Sequence, residues 1–321
     1  MFKLVEDRTQ MGTDLCVVVA DAINQCIDCD NNVIALEADL AGASKSGRIQ
    51  EKHPDNYIQC GIAEANMFGV AAGLSVKGFV PFVHTFAPFA TRRVFDQLYL
   101  SGAYSKNTIN IYGSDPGFTV AANGGTHTSF EDVAMMREIP GAIVVDVADD
   151  TQLDWVVKEF AKMEGIHYFR ANRKPVRNVY QKGSTFSLGK GNVLAQGQDV
   201  LIITAGQLVS DALDCAQHLQ EEGISCEVID MFTIKPLDVD LILSESKGKK
   251  AIVTFENHSV IGGLGSAVAE VVAECGINIP FKRHGVKDCF GQVGTADYLQ
   301  KEFQLTASDL EDTIKNLLKE G

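Results

Sequence analysis

The chain is short of positive charge. Its 321 residues carry 28 Lys and Arg against 42 Asp and Glu, a formal net charge of -14. Nucleic acid and anionic membrane both demand a basic face, so neither is expected as a partner. An anionic small ligand is not excluded, because a local arginine, a helix N-terminus or a metal overrides the average field. No apolar run reaches the length of a membrane span. The opening stretch, Met1 to Asp7, lacks the apolar core of a signal peptide, and a cytoplasmic protein is expected. Eight cysteines are present, but Cys26-x-x-Cys29 has no companion pair, which argues against zinc or redox use. Internal repeats and low-complexity tracts are absent too.

What remains is an ordinary globular composition, 45% hydrophobic and 22% charged, on a chain long enough for two cores. Candidate strands are Val33–Leu36, Tyr57–Cys60, Val80–Thr85, Ile109–Tyr112 and Ile143–Asp146. Helical patterns lie between or after them at Leu15–Cys26, Glu64–Val76, Ala90–Tyr99, Phe130–Arg137 and Thr151–Met163. Short apolar strands alternating with helices imply a parallel, doubly wound sheet. Arg170 to Lys190, rich in Arg, Lys, Gly and Ser, reads as a linker. A second pattern follows: strands Val200–Thr204, Cys226–Asp230 and Ala251–Phe255, helices Leu208–Glu221, Ser266–Glu274 and Ala307–Leu318. The expected fold is α/β, with two open, doubly wound, mostly parallel-sheet domains over residues 1–180 and 181–321.

Three strands of the first half end in residues suited to chemistry. Tyr57–Cys60 runs through Gly61 into Glu64, a carboxylate at the mouth of an Ala-rich helix. The next strand delivers Phe86 and, three residues on, Phe89. The third leads to Asn123-Gly124-Gly125-Thr126-His127, where Ser129-x-x-Asp132 resembles a capping box. Singly, each has a plain structural explanation: a first-turn Glu, core aromatics, a satisfied loop histidine. In a parallel sheet, however, these strand ends share one edge, where open α/β folds place ligands. Gly262-Gly263-Leu264-Gly265 lacks the full spacing of a dinucleotide loop and reads as close helix packing.

The runs Gly61–Met67, His84–Arg93 and Asn123–His127, with Phe255–His258 and Ile261–Ser266, resemble the C-terminal half of transketolase. The likeness extends over almost the whole chain and implies a pyrimidine-binding domain followed by the family's C-terminal domain. It implies that Glu64 bonds N1′ of the aminopyrimidine of thiamine diphosphate and that Phe86 stacks on that ring beside Phe89. By the same likeness Asp39 contacts the cofactor region and His127 binds substrate hydroxyls. Arg170 resembles a substrate-phosphate arginine, and Asn123 stands where the family has an acidic residue. Burial of Glu64 against Phe86 would keep a proton available to share.

Two departures shape the functional expectation. The family's metal segment, Gly-Asp-Gly followed by paired asparagines, is missing, and Asp30-Asn31-Asn32 lacks that context. The expectation is therefore a split enzyme, active only with an N-terminal partner subunit that supplies the diphosphate side and its Mg2+ or Ca2+, as an α2β2 assembly. Phosphate recognition departs as well: Asp115 falls where the family has a histidine, and no arginine lies around Met11 to Asp14. Arg92, Arg93, Arg170 and Arg173 are the candidate anion contacts. These departures argue against a long-chain aldose phosphate bound in the usual manner; a branched or shortened sugar phosphate, or a sugar with another anionic end such as a sulfonate, fits. The expected activity is transfer of a two-carbon ketol unit from a ketose to an aldose. The rival is the β subunit of a 2-oxo acid dehydrogenase E1 component, which a lipoyl-bearing partner would favour.

Overall fold

The computed structural model describes residues 1–320. A seven-stranded sheet is built from β1 (Val33–Glu37), β2 (Tyr57–Gln59), β3 (Val80–Phe86), β4 (Ile109–Ser114), β5 (Ile143–Asp146), β6 (Ile166–Ala171) and β10 (Thr233–Lys235). A five-stranded sheet holds β7 (Asn192–Ala195), β8 (Val200–Thr204), β9 (Cys226–Asp230), β11 (Ala251–Ser259) and β12 (Phe281–Val286). Their orders are β10-β5-β6-β4-β3-β1-β2 and β12-β11-β8-β9-β7. Pairing is parallel except at β10 with β5 and β7 with β9. Strands such as Val33–Glu37 and Val200–Thr204 are buried at every position, as helices on both faces require. No helix among the described residues is long and apolar enough to cross a membrane.

The structure departs from the sequence-based expectations at several points. β6, which overlaps the expected linker, is a central strand between β4 and β5; His167 and Arg170 disguise its apolar pattern. β7, β10 and β12 give no strand signal, because two are short and β12 exposes Lys282 and Arg283. The sheets do not divide the chain at one point, since β10 from the second half forms an edge of the first sheet. The expected helix Ala90–Tyr99 breaks into short turns and a wider helix over Leu98–Tyr104. No capping box forms: the helix begins at Asp132 without a side-chain cap, and Asp132 Oδ2 accepts instead from Tyr168 Oη at 2.7 Å.

A buried polar knot ties the halves together. Asp149 caps the helix Asp150–Phe160 by accepting from Gln152 N at 2.9 Å. Its other oxygen accepts from Val179 N at 2.8 Å and Tyr180 N at 2.7 Å, pinning the connecting segment. Asp230, at the end of β9, accepts from Tyr180 Oη at 2.6 Å and Gln152 Nε2 at 2.8 Å. Burial pushes Asp230 up to about 7 and Asp149 up to about 6. Glu256, accepting from Gly265 N at 2.9 Å where a side chain at Gly263 or Gly265 would collide with it, is pushed by burial to about 8.

These carboxyls bind protons more tightly in the folded than in the unfolded chain, whose aspartates titrate near about 4. Their contribution is full below that value and is lost as pH rises through about 6 to 8. The melting temperature is therefore expected to fall between pH 5 and 8 (roughly the span of these shifts). Asp230→Asn, which keeps an acceptor oxygen, should flatten that slope in calorimetry; an unchanged slope would mean that Asp230 titrates normally.

Candidate active site

Glu64 opens the helix Glu64–Val76 after a turn in which Gly61 takes φ +70° with open space around it. Gln59 Oε1 holds this turn and its neighbour together, accepting from Gly61 N at 3.1 Å and from Asp39 N at 2.7 Å. Asp39, at φ +61°, presents an exposed carboxylate beside them. The Glu64 side chain is buried, and its Oε1 lies 2.7 Å from Arg93 Nη1. The sequence supplied no partner for Glu64 in the isolated chain; here a guanidinium occupies that role. Arg93 also lays its Cζ 3.9 Å over the ring of Phe89.

Phe86, Phe89 and His127 form a triangle of edge-to-face rings. Centroids are 6.1 Å apart for Phe86 and Phe89, 5.4 Å for Phe86 and His127, and 5.1 Å for Phe89 and His127. Such contacts fix ring orientation beyond simple area burial. Thr126 Oγ1 lies 2.9 Å from His127 Nδ1, and His127 N donates to Gly124 O at 3.0 Å. Asn123 is exposed at the start of this turn. Arg173 sits with Cζ 4.8 Å from the Phe86 ring centre, while its backbone N donates to Asp115 Oδ1 at 2.7 Å and its Nε pairs with Asp115 Oδ2.

Beneath Phe86 lies a network the sequence did not reveal. His84 Nδ1 is 2.9 Å and 3.0 Å from the two oxygens of buried Glu37. Ser44 Oγ and Ser46 Oγ each donate to Glu37 Oε2 at 2.7 Å. Burial alone would raise the Glu37 carboxyl, but the charge of His84 and these hydrogen bonds outweigh it and hold it below the usual range. The only hint in the sequence was an acidic residue at the end of an apolar strand.

Arg170, expected as an anion contact, is bonded within the interior of the chain. Its side chain is 1% exposed, with Nε 3.0 Å from Asp132 Oδ2, Nη1 3.5 Å from Asp146 Oδ2 and Nη2 donating to Asn257 O at 2.9 Å. On β6 it shares Asp132 with Tyr168. Arg173, three residues on, faces Phe86 instead. The gathered groups suit a flat, weakly basic heteroaromatic ring: one buried carboxyl group and two aromatic rings at one edge. No group of three or more His, Cys, Asp or Glu among the described residues could hold a metal ion, and Cys26 and Cys29 are free.

The family model for the transketolase pyrimidine binding domain matches residues 13–178, and that for the transketolase C-terminal domain matches residues 189–310. The chain is 45% identical over 281 residues to the 6-deoxy-6-sulfo-D-fructose transketolase subunit of Clostridium sp. (strain MSTE9), covering 88% of this chain and 87% of that one. It is 35% identical over 260 residues to an apulose-4-phosphate transketolase subunit of Phocaeicola vulgatus, covering 81% and 83% respectively. A solved structure described as a split gene transketolase, inactive beta4 tetramer, superposes with a TM-score of 0.88 at 36% identity, covering 96% of this chain and 99% of that one.

Removing Arg170 would strand Asp132 and Asp146 in the interior. Arg170→Ala is expected to destabilise the chain by about 3–5 kcal/mol, read from denaturant midpoints. An unchanged midpoint with weakened substrate binding would return Arg170 to the role the sequence suggested.

Proposed function

The chain belongs to the transketolase family, and we propose that it is the pyrimidine-side subunit of a two-chain, thiamine diphosphate-dependent transketolase. It would move a two-carbon ketol unit from a ketose to an aldose. One observation carries the reading: Glu64, the Phe86–Phe89 pair and His127, from three separate segments, converge at one edge of the first sheet.

Thiamine diphosphate, when bound, supplies the carbanion chemistry. Glu64 would hold a proton at the aminopyrimidine N1′, in a buried position where the exchange is shielded from water. For that, its link to Arg93 must loosen. Phe86 and Phe89 would receive the pyrimidine ring and exclude solvent, and Asp39 would line the cofactor region. His127, oriented by Thr126, would hold or pass protons at the substrate hydroxyls, with Asn123 beside it as a further hydroxyl contact. Arg173 takes over from Arg170 as the anion contact.

The diphosphate and its Mg2+ or Ca2+ would be held by the partner subunit in an α2β2 assembly. The absence of a Gly-Asp-Gly tripeptide supports this, as does the similar split-gene chain described as inactive when four copies assemble. The similar subunits named for a sulfonated ketose and for a sugar phosphate support a donor with an anionic end. Asp115 beside Arg173 disfavours a doubly charged phosphate, so 6-deoxy-6-sulfo-D-fructose is the first donor to assay, with D-fructose 6-phosphate as the comparison.

Glu64→Gln in the complex reconstituted with its partner should assemble normally but lose about 10²-fold or more of its turnover; undiminished turnover would sink the mechanism. His127→Ala should lower donor kcat/KM by about tenfold or more, with cofactor affinity held. Collapse of cofactor binding would show that the histidine is misplaced.

A further inference from the structure

Every residue given a role so far lies before position 180, and residues there hold both ends of the segment carrying His127 (Asp115 by Ala171 and Arg173, Thr128 O by Arg92), yet residues after position 180 brace it as well. Residues 115–128 follow β4 as an irregular track with left-handed backbone at Asp115 (φ 50°), Gly117 (φ 61°), Ala121 (φ 52°) and Gly124 (φ 74°). Alanine adopts such a conformation only when surroundings enforce it. Regular pairing supplies little of that enforcement, since the segment contains only short turns over Gly117–Asn123.

The C-terminal residues supply it at three points. Asn257, at the end of β11, accepts from Phe118 N at 3.2 Å and donates to Pro116 O at 3.1 Å, so close that a side chain at Gly117 would overlap it. Ser259 N donates to Phe130 O at 2.8 Å, and Phe303 packs edge-on against Phe130 at 5.0 Å. Between these clamps the loop after β12 presses on the turn itself. A Cβ added to Gly124 would meet Val293 Cγ2 at 2.6 Å, and one added to Gly125 would meet Gly291 O at 2.6 Å. A side chain at Gly291 would in turn strike Thr128. Glycine backs onto glycine, so the turn has no slack on that side. Gly124 O also accepts from the backbone of His127 and of Thr128, so a shift of Gly124 moves the imidazole.

We infer that the C-terminal domain serves the reaction as the frame that positions His127, with Gly291 and Val293 as positioning residues acting through the Gly124–Gly125 turn. This rests on the reading of His127 given above. Val293 is 69% exposed, so its truncation does not threaten the core.

The test is a double-mutant cycle in the reconstituted two-chain complex, using whichever of 6-deoxy-6-sulfo-D-fructose and D-fructose 6-phosphate turns over. Val293→Ala should lower kcat by about tenfold, as small misplacements of a positioned group do. Its thiamine diphosphate affinity and melting temperature should not change. In the His127→Ala background the same substitution should cost nothing further, because non-additivity is the signature of acting through one group. Gly291→Ala, which drives the turn from the other side against buried Thr128, should show the same loss of kcat and the same non-additivity with His127→Ala, with a lower melting temperature. Equal losses with and without His127, or no loss at all, would overturn the inference and leave the role of His127 intact. If His127→Ala alone has no effect, the underlying reading fails instead.

Discussion

One register decides where the chemistry of this chain can happen. Glu37, the last residue of β1, stands opposite Gln59 of β2 on one side and His84 of β3 on the other. A slip of one residue would send every side chain of β3 to the opposite face. The Glu37–His84 pair, fed by Ser44 and Ser46, exists only in this register and is buried, so breaking it strands an uncompensated charge. With that lock in place, β2 ends below the turn to Glu64, β3 ends at Phe86, and Gln59 joins the turns carrying Asp39 and Gly61. The aromatic triangle and the helix mouth follow from it.

A second regularity is the saturation of positive charge. Each arginine that the sequence offered to an anion already has a carboxylate: Arg92 with Glu131 at 2.9 Å, Arg93 with Glu64 at 2.7 Å, Arg170 with Asp132 at 3.0 Å, and Arg173 with Asp115. The pairs differ in how readily they can be shared. Arg170 is sealed in, whereas Arg93 is 43% exposed and Arg173 is 24% exposed, so of these three only the latter two can turn toward a ligand without opening the core. Glu64 and Asp115 are themselves buried, so such an exchange is open only to a ligand group that replaces the arginine's hydrogen bond to the carboxylate. Glu64 is thus held ready by a contact that can yield.

Much of the fold was legible, and the failures have physical causes. Val33–Glu37, Ile143–Asp146 and Val200–Thr204 announced themselves through uninterrupted β-branched or apolar runs. Glu64–Val76 is legible to the residue, because a glycine turn and an Ala-rich run bracket it. β6 was hidden because it buries charge: Arg170 sits in a central strand only because Asp132 and Asp146 meet it there. β10 was invisible because three residues from the second half were recruited to an edge of the first sheet. Ser129 and Asp132 had the spacing of a cap, but Tyr168 and Arg170 claimed the carboxylate.

Residue order alone set the kinds of group available and their places along the strands: a carboxylate at a helix mouth, two phenylalanines three apart, a histidine after a double glycine. Local spacing and the parallel α/β pattern carry that much, because strand ends on one edge follow from connectivity. Which charges neutralise each other, and what holds the histidine still, depended on packing. Arg93 reaches Glu64 across 29 residues and Asn257 reaches Phe118 across 139. Contacts at such separations depend on how the helices and the two sheets pack against each other, and no local pattern of residues records that.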